Sequence, residues 1–409
     1  MSGRTTNRHA QAESLVERLE YEPKKTALVL SAGAPNAPLI AGALHAAHKA
    51  GCEFPLIYAS GGGIVIALVL VAPKGKDPLA ALEGIVDKLG VEDEIYKFLP
   101  LGYKTFFKGG PFTSGFRAWF RQFKLDDSAP KTAGLAALQK RFEDWIEGPV
   151  SQGNRDKAAK YKRLYNDSID LGTALATPTL LNPMSKGLCQ PFPLIEEFVD
   201  FEALARSTST VYIPAYNLRT HRIQQFSNHP REVEDAKTRS RVSIKPITPD
   251  AVRACLASPF IYPPVMIDGE PFIEGAYEEP YNEDEWEQKL GKEIHNLLLL
   301  DILGTRQMEE FLLREPKSLW DAYGLSILTP IVANAETTRQ TLGLPPQGIP
   351  HEEVVRSVPG KVLRKANIIT LNFPIPAGMR ITDWSRSNLQ ALFRIGKEAA
   401  EQRLQWRSS

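Results

Sequence analysis

Apolar residues in this chain come in short dense runs separated by polar, glycine- or proline-containing breaks, a rhythm that predicts strands alternating with helices. Thr26–Ser31 (TALVLS) is almost wholly apolar and short enough for a buried strand. A loop of small residues follows, Ala32 to Pro38, and then a helical pattern from Leu39 to Lys49. The next run, Phe54 to Ala59, again reads as a buried strand and stops at Ser60. Gly61-Gly62-Gly63 then lead into an uninterrupted apolar run, Ile64 to Ala72. Periodicity alone leaves that run open between a helix covered on all sides and a second strand. So tight a turn needs backbone angles that glycine adopts without strain. A serine at its apex, beside the amides of a following helix, would form a nucleophile elbow. The plain alternative is a glycine-rich connection with an incidental serine.

Further along, Asp77–Leu89 predicts an amphipathic helix, and residues 127–163 are helical in pattern. Thr210–Tyr216 and Arg222–Phe226 predict paired strands. Thr248-Pro249 marks a helix start, with threonine as cap and proline in the first turn. That helix should end near Ala257, before Ser258-Pro259. Val265–Ile267 and Pro271–Ile273 flank Asp268-Gly269, a tight hairpin turn. Leu297–Ile302 and Asn367–Leu371 predict two more strands, and Ser385–Leu404 a charged amphipathic helix. The pattern divides into an N-terminal helical extension (1–24), an α/β domain (25–303) and a mainly helical C-terminal region (304–409) packed on that domain.

Composition narrows the function classes. With 43% hydrophobic and 24% charged residues, the 409-residue chain reads as an ordinary globule. A net charge of +1 offers nucleic acid no global field. Cys52, Cys189 and Cys255 are too few and too scattered for a disulfide scaffold and suit a reducing compartment, so a cytoplasmic location is expected. The polar N-terminus has no signal-peptide core, and no apolar run approaches the length of a membrane span. Residues 103–124 interleave aromatic with basic side chains, which fits either core packing or peripheral membrane contact. His45, His48 and Cys52 have helical spacing, but no second ligand cluster follows, so neither metal nor cofactor is expected. A lone Gly33 in the first loop falls short of a dinucleotide fingerprint.

Three landmarks occur in order: Ser31-Ala32-Gly33-Ala34-Pro35-Asn36-Ala37, Tyr58-Ala59-Ser60-Gly61-Gly62, and Phe272-Ile273-Glu274-Gly275-Ala276. This order resembles the patatin-like phospholipase family, whose motifs are Ser-Gly-Gly-Gly-x-Arg-Gly, Gly-x-Ser-x-Gly and Asp-Gly-Gly. Arg253–Glu270, Pro193–Leu204 and Ala215–Thr220 are similar to further family stretches. The resemblance implies a three-layer α/β/α sandwich with a mostly parallel central sheet and a helical C-terminal extension. It implies a lipid acyl hydrolase using a serine–carboxylate dyad without histidine. Ser60 would be the nucleophile and Glu274 the base, in place of the family's aspartate. The amides of Gly33, Ala34 and Gly61 would form the oxyanion hole. Tyr58 and Asn36 stand where the family has glycine and arginine, and Gly62 and Gly275 match it. Asp268 is a rival base, and His295 or His351 would serve a triad reading. The alternative function is a catalytically impaired patatin-fold protein that binds lipid or a protein partner.

Overall fold

The computed structural model describes residues 26–33, 37–98, 163–164, 167, 195–234, 241–259, 261–286, 289, 291–302, 315, 319–342, 367–371, 373 and 383–403. The predicted helix near residues 11–19, the aromatic-basic stretch 103–124 and the helical pattern over 127–162 lie outside these residues, as do Ala34, Asn36 and His351.

Strands β1 (Thr26–Leu30), β2 (Leu56–Ala59), β3 (Thr210–Asn217), β4 (Arg222–Ser227), β5 (Arg231–Glu234), β6 (Arg241–Pro246), β7 (Val265–Ile267), β8 (Glu270–Glu274), β9 (Asn296–Leu300) and β10 (Asn367–Thr370) form one sheet. Its order is β10-β9-β1-β2-β3-β4-β6-β5, with β7 and β8 joined through β3. The block from β10 to β3 is parallel. Buried parallel strands need apolar residues on both faces, which explains why β1 (TALVL) and β9 (NLLLL) lack polar alternation.

Helix α1 (Ala37–Lys49) connects β1 to β2, and α2 (Gly62–Val71) leaves β2 directly. The open run Ile64–Ala72 is therefore a helix, apolar on every side because it is almost wholly enclosed. Helix α3 (Pro78–Leu89) begins as its sequence predicts, with the Asp77 carboxylate accepting from the Ala80 amide at 3.1 Å and proline at the first position. Thr248 caps α4 (Pro249–Cys255) in the same way.

Each face of the sheet has its own core. Leu28, Leu30, Ile57 and Ala59 face α1, α2, α3 and the C-terminal helix α6 (Arg386–Arg403). Ala27, Val29, Tyr58, Tyr212, Leu297 and Leu299 face Tyr281, Trp286 and the long helix α5 (Leu319–Leu342). Helices thus cover both faces, the three-layer arrangement. Among the described residues no helix is long and apolar enough to cross a membrane.

Candidate active site

Strand order places the site. β1, β2 and β9 run parallel side by side, so the turn that follows β2 opens at the carboxyl edge of the sheet, where open α/β sheets bind ligands. The second determinant is how β3 shares one of its edges. Residues 210–212 of β3 pair with β2, and residues 215–217 pair in the opposite sense with β8. β2 and β8 therefore meet end to end, and the last residue of β8, Glu274, arrives at the turn that follows β2. More than two hundred residues of intervening sequence are brought together by one shared strand.

Side-chain alternation decides what each turn residue does. Ile57 and Ala59 belong to the core facing α2, whereas Tyr58 belongs to the opposite one. Ser60 continues the strand, its amide donating to the Leu30 carbonyl at 3.1 Å, so its side chain follows Tyr58. The Ser60 hydroxyl is fully buried and donates to the Glu279 carbonyl oxygen at 2.8 Å. Tyr58 stacks on its register partner Tyr212 with ring centroids 5.0 Å apart. The Lys289 ammonium sits 4.5 Å from the Tyr212 ring centre and 3.1 Å from the Tyr58 hydroxyl. The bulky tyrosine thus packs beneath the sheet and does not crowd the turn.

The apex of the turn is Gly61. Its φ of 48° and ψ of −131° lie in a region open essentially to glycine, and α2 starts at the next residue. A strained strand-to-helix position is where an elbow displays its nucleophile. A Cβ on Gly61 would lie 2.8 Å from Glu274 Oε1 and 3.0 Å from the Ala32 Cβ. Two residues on, a Cβ on Gly63 would come within 2.9 Å of the Leu30 Cβ and the Ser31 oxygen, a close approach of helix to strand. Ala59-Ser60-Gly61-Gly62-Gly63 thus has the small-x-apex-x-Gly layout of the elbow one residue later than the sequence motif suggests. Chain spacing held that register too, with glycine at the centre, but only the backbone angles distinguish the two.

Glu274 is nine-tenths buried, and its amide donates to the Ala257 carbonyl at 3.0 Å. Burial pushes its carboxyl up from an ordinary 4.5 to about 7, while the Ser258 hydroxyl pulls the other way. The Ser258 hydroxyl also lies 3.3 Å from that of Tyr277. Burial and then Glu274 raise the Cys255 thiol well above its usual range, so it is an inert neighbour. Glu274 and Ser60 flank the same turn without a hydrogen bond between them. Among the described residues no backbone carbonyl accepts from the amides of Gly61 or Gly62, which open α2. Gly33 follows β1 with a φ of 125°.

The other sequence candidates lie elsewhere. Asp268 occupies the hairpin tip with a φ of 53° and pairs with Lys245 at 2.8 Å. His295 precedes β9, at the amino edge of the sheet, opposite the turn. His45 is buried between helices, with Nε2 3.0 Å from Glu83 and its ring against Phe393. Glu279, whose backbone oxygen accepts from Ser60, carries no signal in the sequence, since it lies in an acidic run (Glu278, Glu279, Glu283, Asp284, Glu285, Glu287) that reads as solvated surface.

No curated protein matches the chain. The crystal structure of VipD from Legionella pneumophila matches at 15% identity, covering 95% of this chain and 69% of that one, with a TM-score of 0.37. The family model described as Patatin-like phospholipase matches residues 28–285, more than half of the chain and inclusive of both β2 and β8. The chain belongs to the patatin-like phospholipase family, a family of lipid acyl hydrolases.

Proposed function

We propose that this chain handles acyl lipid at the β2–α2 turn without the covalent serine chemistry of its family. The observation that carries the reading is the identity of the apex. The strained position is Gly61, and Glu274 Oε1 lies 2.8 Å from the point where a side chain there would begin. Glutamate is one methylene longer than the family's aspartate, and the added reach fills space that an apex serine would need. Ser60, one residue earlier, spends its only proton on the Glu279 carbonyl inside the protein. The opening of α2 still offers amide donors to an oxyanion or a carbonyl.

A second reading keeps the Ser60–Glu274 dyad as an acyl hydrolase. It is favoured by the carboxyl pKa near 7, suited to a base at neutral pH. It requires the Ser60 hydroxyl to leave Glu279 and turn toward Glu274. The two readings separate on labelling with a fluorophosphonate, which reacts with activated serines. The intact protein is expected to stay unlabelled by mass spectrometry, like Ser60→Ala. Modification of Ser60 would replace the first reading with the dyad.

A further inference from the structure

A glycine apex removes the covalent nucleophile yet leaves a buried carboxyl at the turn. We infer that Glu274 acts as a general base that delivers water directly to an acyl ester carbonyl held against the Gly61 and Gly62 amides. The inference rests on the reading that Ser60 takes no part, and it assigns the site an activity of its own.

Three features of the geometry support it. Glu274 Oε1 stands 2.8 Å from the point where an apex side chain would start, so the base stands beside the apex amides. The path of β8 fixes the backbone of Glu274, since Ala215 pairs with it and the Ala257 carbonyl accepts from its amide, and the Ser258 hydroxyl bonds the carboxyl. The apex amides belong to the start of a ten-residue helix, where partial positive charge meets an oxyanion.

The step balances with water as the only co-reactant. The Glu274 carboxylate takes a proton from water as the water oxygen bonds to the carbonyl carbon. The carbonyl π pair moves onto its oxygen, which the apex amides stabilise. As the tetrahedral intermediate collapses, the ester C–O bond breaks and protonated Glu274 returns the proton to the departing alkoxide. A carboxylic acid and an alcohol leave, and no acyl-enzyme forms. The substrate class is a carboxylic ester with an apolar acyl chain, as for the family.

The test is hydrolysis of p-nitrophenyl butyrate by the full chain between pH 5 and 9, with Ser60→Ala and Glu274→Gln alongside. The expected rate rises with pH through an inflection near 7, resists fluorophosphonate and stays within about twofold in Ser60→Ala. Glu274→Gln should lose on the order of a hundredfold, the lower range for a lost general base. A parent no faster than buffer, or a Glu274→Gln rate equal to the parent's, overturns the inference and leaves the serine-free reading intact. If Glu274→Gln fails to fold, the parent's profile decides, and absence of the inflection near 7 overturns the inference. Loss of activity in Ser60→Ala, or inhibition by the fluorophosphonate, overturns both.

Discussion

Glycine lets parts of the chain come close both where α1 crosses α6 and at the β2–α2 turn, and the two places differ in what stands opposite. Where α1 crosses α6, a Cβ on Gly42 would overlap the Phe393 carbonyl, and one on Gly396 would overlap the Leu39 carbonyl. Both obstacles are backbone, so those glycines are architectural. At the β2–α2 turn the atom nearest to a Cβ on Gly61 is the end of a side chain, Glu274 Oε1. A side chain can be shortened, whereas a helix backbone cannot step aside without dismantling its packing. The crossing shows what glycine is for when it serves the fold alone. The turn pairs one altered residue with another, a glycine apex with a lengthened acid, on a backbone that keeps the shape of an elbow.

Alanine at the crossing tests the architectural half of that contrast. Gly42→Ala should destabilise the protein by about 3 kcal/mol or more, the upper range for overpacking. Urea denaturation measures this, and a loss below about 1 kcal/mol would mean that the crossing yields as a side chain does.

The titration of Glu274 tests the site half. Its folded pKa is raised from 4.5 to about 7, so the folded state holds the proton more tightly than the unfolded chain. Stability from this group is complete below about 4.5, falls as pH rises through about 7, and is flat above that. The full change is about 3 kcal/mol. Glu274→Gln should flatten this part of the stability curve and be the more stable protein at pH 8. An unchanged slope would mean that Glu274 does not hold its proton more tightly in the folded state.

Gly61→Ser alone is the smallest of these changes. It adds both overlap with Glu274 and a strained φ, and should cost about 2 kcal/mol. Glu274→Asp in the same chain should recover much of that loss by removing the overlap. Equal stability of the single and double variants, read from thermal melts, would separate position 61 from Glu274.

Most of the sheet is legible in the sequence because its parallel strands are buried on both faces, leaving β1, β2 and β9 as unbroken apolar runs. The strands β5 (REVE) and β6 (RVSIKP) escape a reading by apolar runs because they carry charge and polarity to the sheet's edge. The length of α5 is hidden by Pro330 within it, which ordinary helix grammar reads as a stop. At the site, the approach of residues near 60 and 274 follows from the family's motif order, and the structure supplies its cause in the shared edge of β3. What sequence spacing could not settle is a register of one residue. Ala59 to Gly63 and Tyr58 to Gly62 both fit a degraded elbow motif, and the choice between them needs the strand alternation that turns Ser60 toward Glu279 and the positive φ that falls on Gly61.

The most direct measurement is fluorophosphonate labelling of the parent and of the Gly61→Ser/Glu274→Asp double variant, with the modified residue located by mass spectrometry. A glycine apex predicts an unlabelled parent and a double variant modified at position 61, where the elbow presents its apex to the acid. A parent modified at Ser60, with position 61 unreactive in the double variant, would contradict it.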